Sequence, residues 1–131
     1  MKLNELKPGD WVIVTDNGVS REGSVVRVSN EEGEVCVDNG VQEFWYPLDQ
    51  VQGIPVDEAQ LMRLGFEKMD REAGNGVKYG KGPFRVLVPA ADNFSSSEVW
   101  YREDRRLFDR PITVSELQNI HLQMTKVPLL H

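Results

Sequence analysis

The sequence predicts an α+β protein: a small β-barrel over residues 1–56, then a small antiparallel sheet with two short helices over residues 57–131. Three observations predict it. Up to Pro55 the chain carries short apolar stretches parted by turn residues at a spacing of about 8–12, the pattern of a small barrel or sandwich. Around Val56 the apolar period changes from that of a strand to that of a helix. Near the end, Thr113 followed by Glu116 forms a capping box at the mouth of a second helical stretch. A chain of 131 residues suits one domain or two small lobes in one compact unit.

The first half opens with a turn at Lys7-Pro8-Gly9-Asp10, and Trp11 to Val14 follows as a strand. Asp16-Asn17-Gly18 turns the chain into a second strand, Gly23 to Val28. A polar connection, Asn30 to Gly33, leads to Glu34-Val35-Cys36-Val37-Asp38, whose alternation is that of a strand. Asp38-Asn39-Gly40 turns again before Glu43 to Tyr46. Pro47 to Val51 reads as one 3₁₀ turn, and Gln52 to Pro55 as a short closing strand. Strand, long loop, three-stranded meander, 3₁₀ turn and last strand is an order that resembles an SH3-like barrel.

In the second half Asp57 caps a two-turn helix, with Gln60 placed to complete a capping box, Leu61, Met62 and Leu64 on its apolar side, and Gly65 as its stop. Strands are expected at Phe66 to Met69, Val77 to Tyr79, Phe84 to Val88 and Glu98 to Arg102, with a further short one at Leu107-Phe108. Asp70 to Gly76 is the loop of a hairpin, and Ala90 to Ser97 an irregular loop. The two lobes are expected to meet at Trp11, Trp45 and the Gly53 to Val56 connection.

Composition narrows the function classes. The net charge is −6, and all of it sits in the first half, which holds four basic residues against ten acidic ones, while residues 57–131 hold eleven of each. An acidic surface repels phosphate backbones, so nucleic acid is disfavoured as a partner and a basic protein partner suits this half better. No apolar run approaches the ~20 residues of a membrane helix. The opening MKLNELKPGD lacks the apolar core of a signal peptide. The single cysteine, Cys36, excludes an internal disulfide and fits a reducing, cytoplasmic setting.

Three stretches carry a family resemblance: ELKPGDWV (5–12), IPVDEAQLMRLGFEK (54–68) and ELQNIHLQMT (116–125). Together they resemble small uncharacterised proteins of gut Bacteroidetes and their phages and prophages. That group shows a Leu-Arg-x-Gly-Asn-x-Val start, a central Ile-Pro-Leu-Thr-x-x-x-Leu-x-x-x-Gly-Phe-x-Lys, and a C-terminal His-x-Leu-Gln-Asn-Leu-Tyr-x-x-Leu-Thr-Gly. The resemblance implies a phage or mobile-element origin and no mechanism. This chain has Ser115 at the group's histidine, His121 at its tyrosine, and Thr125-Lys126 at its closing Thr-Gly, so no role passes from that histidine.

Chemistry has few candidates. His121 shares a helical stripe with Val114, Leu117 and Met124, which places it on the packed face, with Gln118 and Asn119 expected as the more exposed polar positions. With only His121, His131 and Cys36 available there is no nucleophile–base–orienter set and no zinc spacing. Cys36 is expected to point outward, its thiol pKa raised by Glu34 and Asp38. Gly74-Asn75-Gly76 and Gly80-Lys81-Gly82 do not make a phosphate loop, because Gly82 stands where Ser or Thr is required. No catalytic, cofactor or metal residue is therefore assigned.

Two binding surfaces remain. Trp11, Trp45 and Tyr46, with Phe44, are a candidate aromatic groove on the acidic barrel. Against that stands a packing reading in which Phe44 and Tyr46 point inward and Trp45 covers an edge or the second lobe. Arg102, Arg105, Arg106 and Arg110 are the one basic cluster, a candidate nucleic-acid contact; Glu103, Asp104 and Asp109 among them favour a self-paired, solvated surface. The expected function is a non-enzymatic interaction or accessory protein acting through the barrel lobe on a protein partner. A nucleic-acid-binding module and an enzyme with an unrecognised site are the rivals.

Overall fold

The computed structural model describes residues 2–69 and 76–131, and it is an α+β architecture of two five-stranded antiparallel sheets and two helices. After a 3₁₀ turn at Leu3–Glu5, the first sheet is built from β1 (Trp11–Asp16), β2 (Val19–Ser29), β3 (Glu34–Asp38), β4 (Glu43–Pro47) and β5 (Val51–Gly53). Its order is β4-β3-β2-β1-β5, with a 3₁₀ turn at Leu48–Gln50 between β4 and β5. The second half runs α1 (Glu58–Arg63), β6 (Glu67–Met69), β7 (Val77–Lys81), β8 (Phe84–Val88), β9 (Ser97–Tyr101), β10 (Asp104–Phe108) and α2 (Val114–Thr125). The second sheet is a plain meander, β10-β9-β8-β7-β6. Residues 70–75 of the expected hairpin loop lie outside the described residues.

β2 is almost twice the expected length because it serves both β1 and β3. It pairs with β1 from Val19 to Ser24 and with β3 from Ser24 to Ser29, and the register shifts between Val25 and Arg27. A bulge of this kind bends a strand and sharpens its twist. Gly23 sits where the bend begins, and a Cβ there would fall on the Asp38 carbonyl and a Val37 methyl. Only glycine lets the two backbones approach so closely.

β1 is the wall between two cores. Val12 and Val14 enter the first core with Leu6, Val25, Val35, Val37, Tyr46 and Val51. Trp11 and Ile13 point the other way, against the core of Phe66, Tyr79, Phe84, Val86 and Leu117. The period of two along one strand thus supplies both halves of the molecule. The linker is tied to the start of α2: Val56 N–H donates to Ile112 O at 3.0 Å, and Val114 N–H donates to Ile54 O at 2.8 Å.

Both helix starts are as the sequence predicts, with one difference. Asp57 accepts from Gln60 N–H at 2.8 Å, but the Gln60 side chain does not complete a box; it reaches Glu22 and His131 instead. Thr113 and Glu116 do form the reciprocal box. Gly65 closes α1 with φ of 91°, and Leu61 and Leu64 are buried, whereas Met62, expected on the apolar side, is exposed.

The largest correction concerns Gln118. Spacing places it among the exposed polar positions of α2, yet it is 1% exposed. Its Nε2–H donates to Gly9 O at 2.9 Å and to Leu129 O at 2.8 Å, and its Oε1 accepts from Trp11 N–H at 2.8 Å. One carboxamide therefore joins the first-sheet lobe, α2 and the C-terminal tail. Asn119 beside it adds a bond from Nδ2–H to Glu5 O at 2.8 Å.

Candidate functional site

The aromatic candidates separate. Tyr46 is 2% exposed in the first core, and its hydroxyl accepts from Asn39 Nδ2–H at 2.9 Å, which removes it from any binding surface. Phe44, expected inward with it, lies at the open end of the same strand face, 44% exposed and edge-on to Tyr46 at 5.1 Å. Trp45 is 37% exposed on the opposite face. β4 is an edge strand, at the far side of the sheet from β5, so Trp45 does not join the lobes as expected. Trp11 does: it packs against the second core, its Nε1–H donates to Glu22 Oε1 at 2.8 Å, and His131 stacks on it with centroids 3.9 Å apart.

Trp45 belongs to a row across the meander. The register places Arg27 beside Cys36 and Cys36 beside Trp45. The Arg27 guanidinium reaches to 5.7 Å from the Trp45 ring centroid, spanning the intervening cysteine. Cys36 therefore lies on the outward face, as alternation predicts, yet is only 2% exposed. Burial pushes its thiol pKa up, Arg27 opposes, and Glu43 adds to the rise. The expected contribution of Glu34 and Asp38 is replaced by burial as the leading cause.

His121 fills space and holds the tail. It is buried, its ring lies 4.7 Å from Phe84, and its Nδ1 is 2.8 Å from Val127 O. That geometry assigns the proton to Nδ1, donating to the carbonyl. Burial lowers the imidazole pKa and Lys81 lowers it further, against the Val127 carbonyl. Among the described residues there is no group of three or more His, Cys, Asp or Glu side chains able to hold a metal ion.

Three of the four arginines of the cluster are paired with carboxylates. Arg105 meets Glu98 at 3.0 Å, Arg106 meets Asp104 at 3.7 Å, and Arg110 grips Glu116 with both terminal nitrogens at 3.2 and 2.6 Å. Arg102 lies over Tyr101 at 5.2 Å in the β9–β10 turn. Self-pairing is as expected, although the main partners, Glu98 and Glu116, come from β9 and α2 rather than from the neighbours in sequence.

Sequence reasoning missed a cleft of about 620 Å³ between the first 3₁₀ turn, the end of β10 and the open flank of α2. Leu6, Phe108 and Ile120 form its apolar floor, while Asn4, Glu5, Ser115, Asn119 and Gln123 supply polar groups. It joins residues more than a hundred positions apart, so no local pattern announces it. The one available signal was the spacing of Ser115, Asn119 and Gln123, one polar stripe at four-residue intervals along α2.

No family model, curated protein or solved structure matches this chain. The described helices include none long and apolar enough to cross a membrane.

Proposed function

We propose that the protein is a non-enzymatic interaction or accessory protein, of phage or mobile-element origin, that acts in the cytoplasm through its first lobe. In this reading the first sheet is an SH3-like barrel. The order β4-β3-β2-β1-β5, the long bent β2 and the 3₁₀ turn before β5 support that assignment. The observation that carries the reading is edge strand β4, where Phe44 and Trp45 stand exposed beside Val41 on the acidic half of the chain. An edge strand offers unpaired main-chain groups to an extended segment, and the acidic surroundings favour a segment carrying lysine or arginine. Trp45 gives such a segment a π-face.

The test is a pull-down from host or phage-infected lysate with wild type and Trp45→Ala side by side. A basic partner captured by the wild type and lost with Trp45→Ala is expected. Identical profiles would count against the reading.

One observation favours a second reading, a nucleic-acid-binding module. Trp100 on the outer face of the second sheet lies between Lys78 and Arg105, with centroid distances of 5.9 and 5.6 Å, a cation-flanked stacking surface. Salt-dependent DNA or RNA binding lost on Arg105→Ala/Arg106→Ala would establish it, and no binding at low salt would end it.

A further inference from the structure

We propose that the cleft between the two lobes is a binding site for a small uncharged ligand of the pyranose class, a ring with several hydroxyl groups and an apolar C–H face. The argument rests on which polar atoms are already committed. Asn119 donates from Nδ2 to Glu5 O at 2.8 Å, which fixes the amide and leaves Oδ1 as an oriented acceptor. Gln123 accepts at Oε1 from Arg106 at 3.0 Å, which leaves its NH₂ end as an oriented donor. The two residues stand one turn apart on α2, so their Cβ atoms are about 5–6 Å apart. A held acceptor and a held donor at that spacing suit a ligand whose groups can both give and take a hydrogen bond. Hydroxyls do so without the fixed polarity of an amide.

Charge points to a neutral ligand. Burial works against the Glu116 carboxylate, yet Arg110 and the Thr113 cap hold it below the usual carboxylate range. Arg106 is engaged by Asp104 and Gln123, and the Glu5 carboxylate accepts from Lys2 N–H at 2.8 Å. An anionic ligand would have to break the contacts that hold Arg106 or Arg110, whereas a neutral one uses what they leave over. Beyond its first turn the α2 main chain offers nothing to a peptide, because its amides and carbonyls are spent inside the helix. The apolar floor of Leu6, Phe108 and Ile120 is matched to the C–H face of a sugar ring, and about 620 Å³ is ample for one or two rings.

The test is an amide-resolved NMR titration of the full chain with D-glucose, D-galactose and N-acetyl-D-glucosamine, each to about 50 mM, where millimolar binding is visible. Glycerol serves as the polyol without a ring face. The expected result is saturable shifts of the Asn119 and Gln123 side-chain amides with at least one sugar and none with glycerol. Gln123→Ala and, separately, Asn4→Ala should weaken that binding about 3–10-fold, the effect of one lost hydrogen bond. Absence of saturable shifts with all three sugars, equal shifts with glycerol, or sugar binding unchanged in both variants would overturn the proposal. Failure here leaves the β4 reading standing, since the two surfaces share no residue.

Discussion

Replacing Gln118 by leucine tests what holds the two lobes together. The side chains are similar in volume, so little cavity is made, and the change removes hydrogen bonds almost alone. Three are lost: Nε2–H to Gly9 O, Nε2–H to Leu129 O, and Trp11 N–H to Oε1. At about 0.5–1.5 kcal/mol net for each bond, with main-chain partners left partly desolvated, the loss should be about 2–4 kcal/mol. For a chain of this length that corresponds to a Tm roughly 10 °C lower. Urea unfolding followed by tryptophan fluorescence reads it, as a lower midpoint at unchanged slope if unfolding stays two-state. A loss below about 1 kcal/mol, or one no larger than that of Asn119→Ala at the exposed margin of the same helix, would refute the reasoning.

Other perturbations test the remaining elements. Gly23→Ala should destabilise by about 1–3 kcal/mol, because the new methyl meets the Asp38 carbonyl across two paired strands; a variant as stable as wild type would mean that the β2 bend relaxes freely. Trp45→Ala should speed reaction of Cys36 with a thiol reagent under native conditions by about tenfold or more, since Trp45 and Arg27 flank the buried Cys36 in register and reach towards each other across it, and burial keeps its pKa high; an unchanged rate would show that Trp45 is not the cover. The lowered pKa of His121 means that the fold prefers the neutral ring. Its contribution is complete above the unfolded value of about 6.5 and is lost as pH falls from there towards the folded value. Stability measured at pH 7.5 and 5.5 should drop more for wild type than for His121→Gln, and parallel curves would remove His121 as the cause.

Much of the strand order was legible because turn chemistry and alternation act locally. β3, β8 and the caps at Asp57 and Thr113 follow from neighbours within a few residues. Gln118 was not legible for the opposite reason. Helical spacing places it at the edge of a stripe, and nothing in the sequence says that the main chain of Gly9 and Leu129 will come to its amide. Tyr46 is buried opposite Val35, as the packing reading of the alternation expects, so only its place among the surface candidates fails. The limit met at Gln118 applies to His121. Its place on the packed face is visible in the spacing, while its bond to Val127 O is not, so His121→Phe, which removes that bond, should loosen the tail.

The cleft inherits this dependence on distant contacts. One wall is the first 3₁₀ turn and the other is α2 with the end of β10, so its shape exists only while the lobes are docked. Asn119 supplies both a docking bond to Glu5 O and the acceptor offered to a ligand. Docking and ligand binding must then be coupled, and the coupling acts in both directions. A sugar present at ten times its Kd should stabilise the wild type by about 1.4 kcal/mol. In Gln118→Leu, which leaves every cleft side chain in place but loosens the lobes, the same sugar should bind more weakly and recover less stability at equal concentration. Equal affinity in both proteins would show that the cleft is formed by α2 and its neighbours alone, without the joint that Gln118 makes.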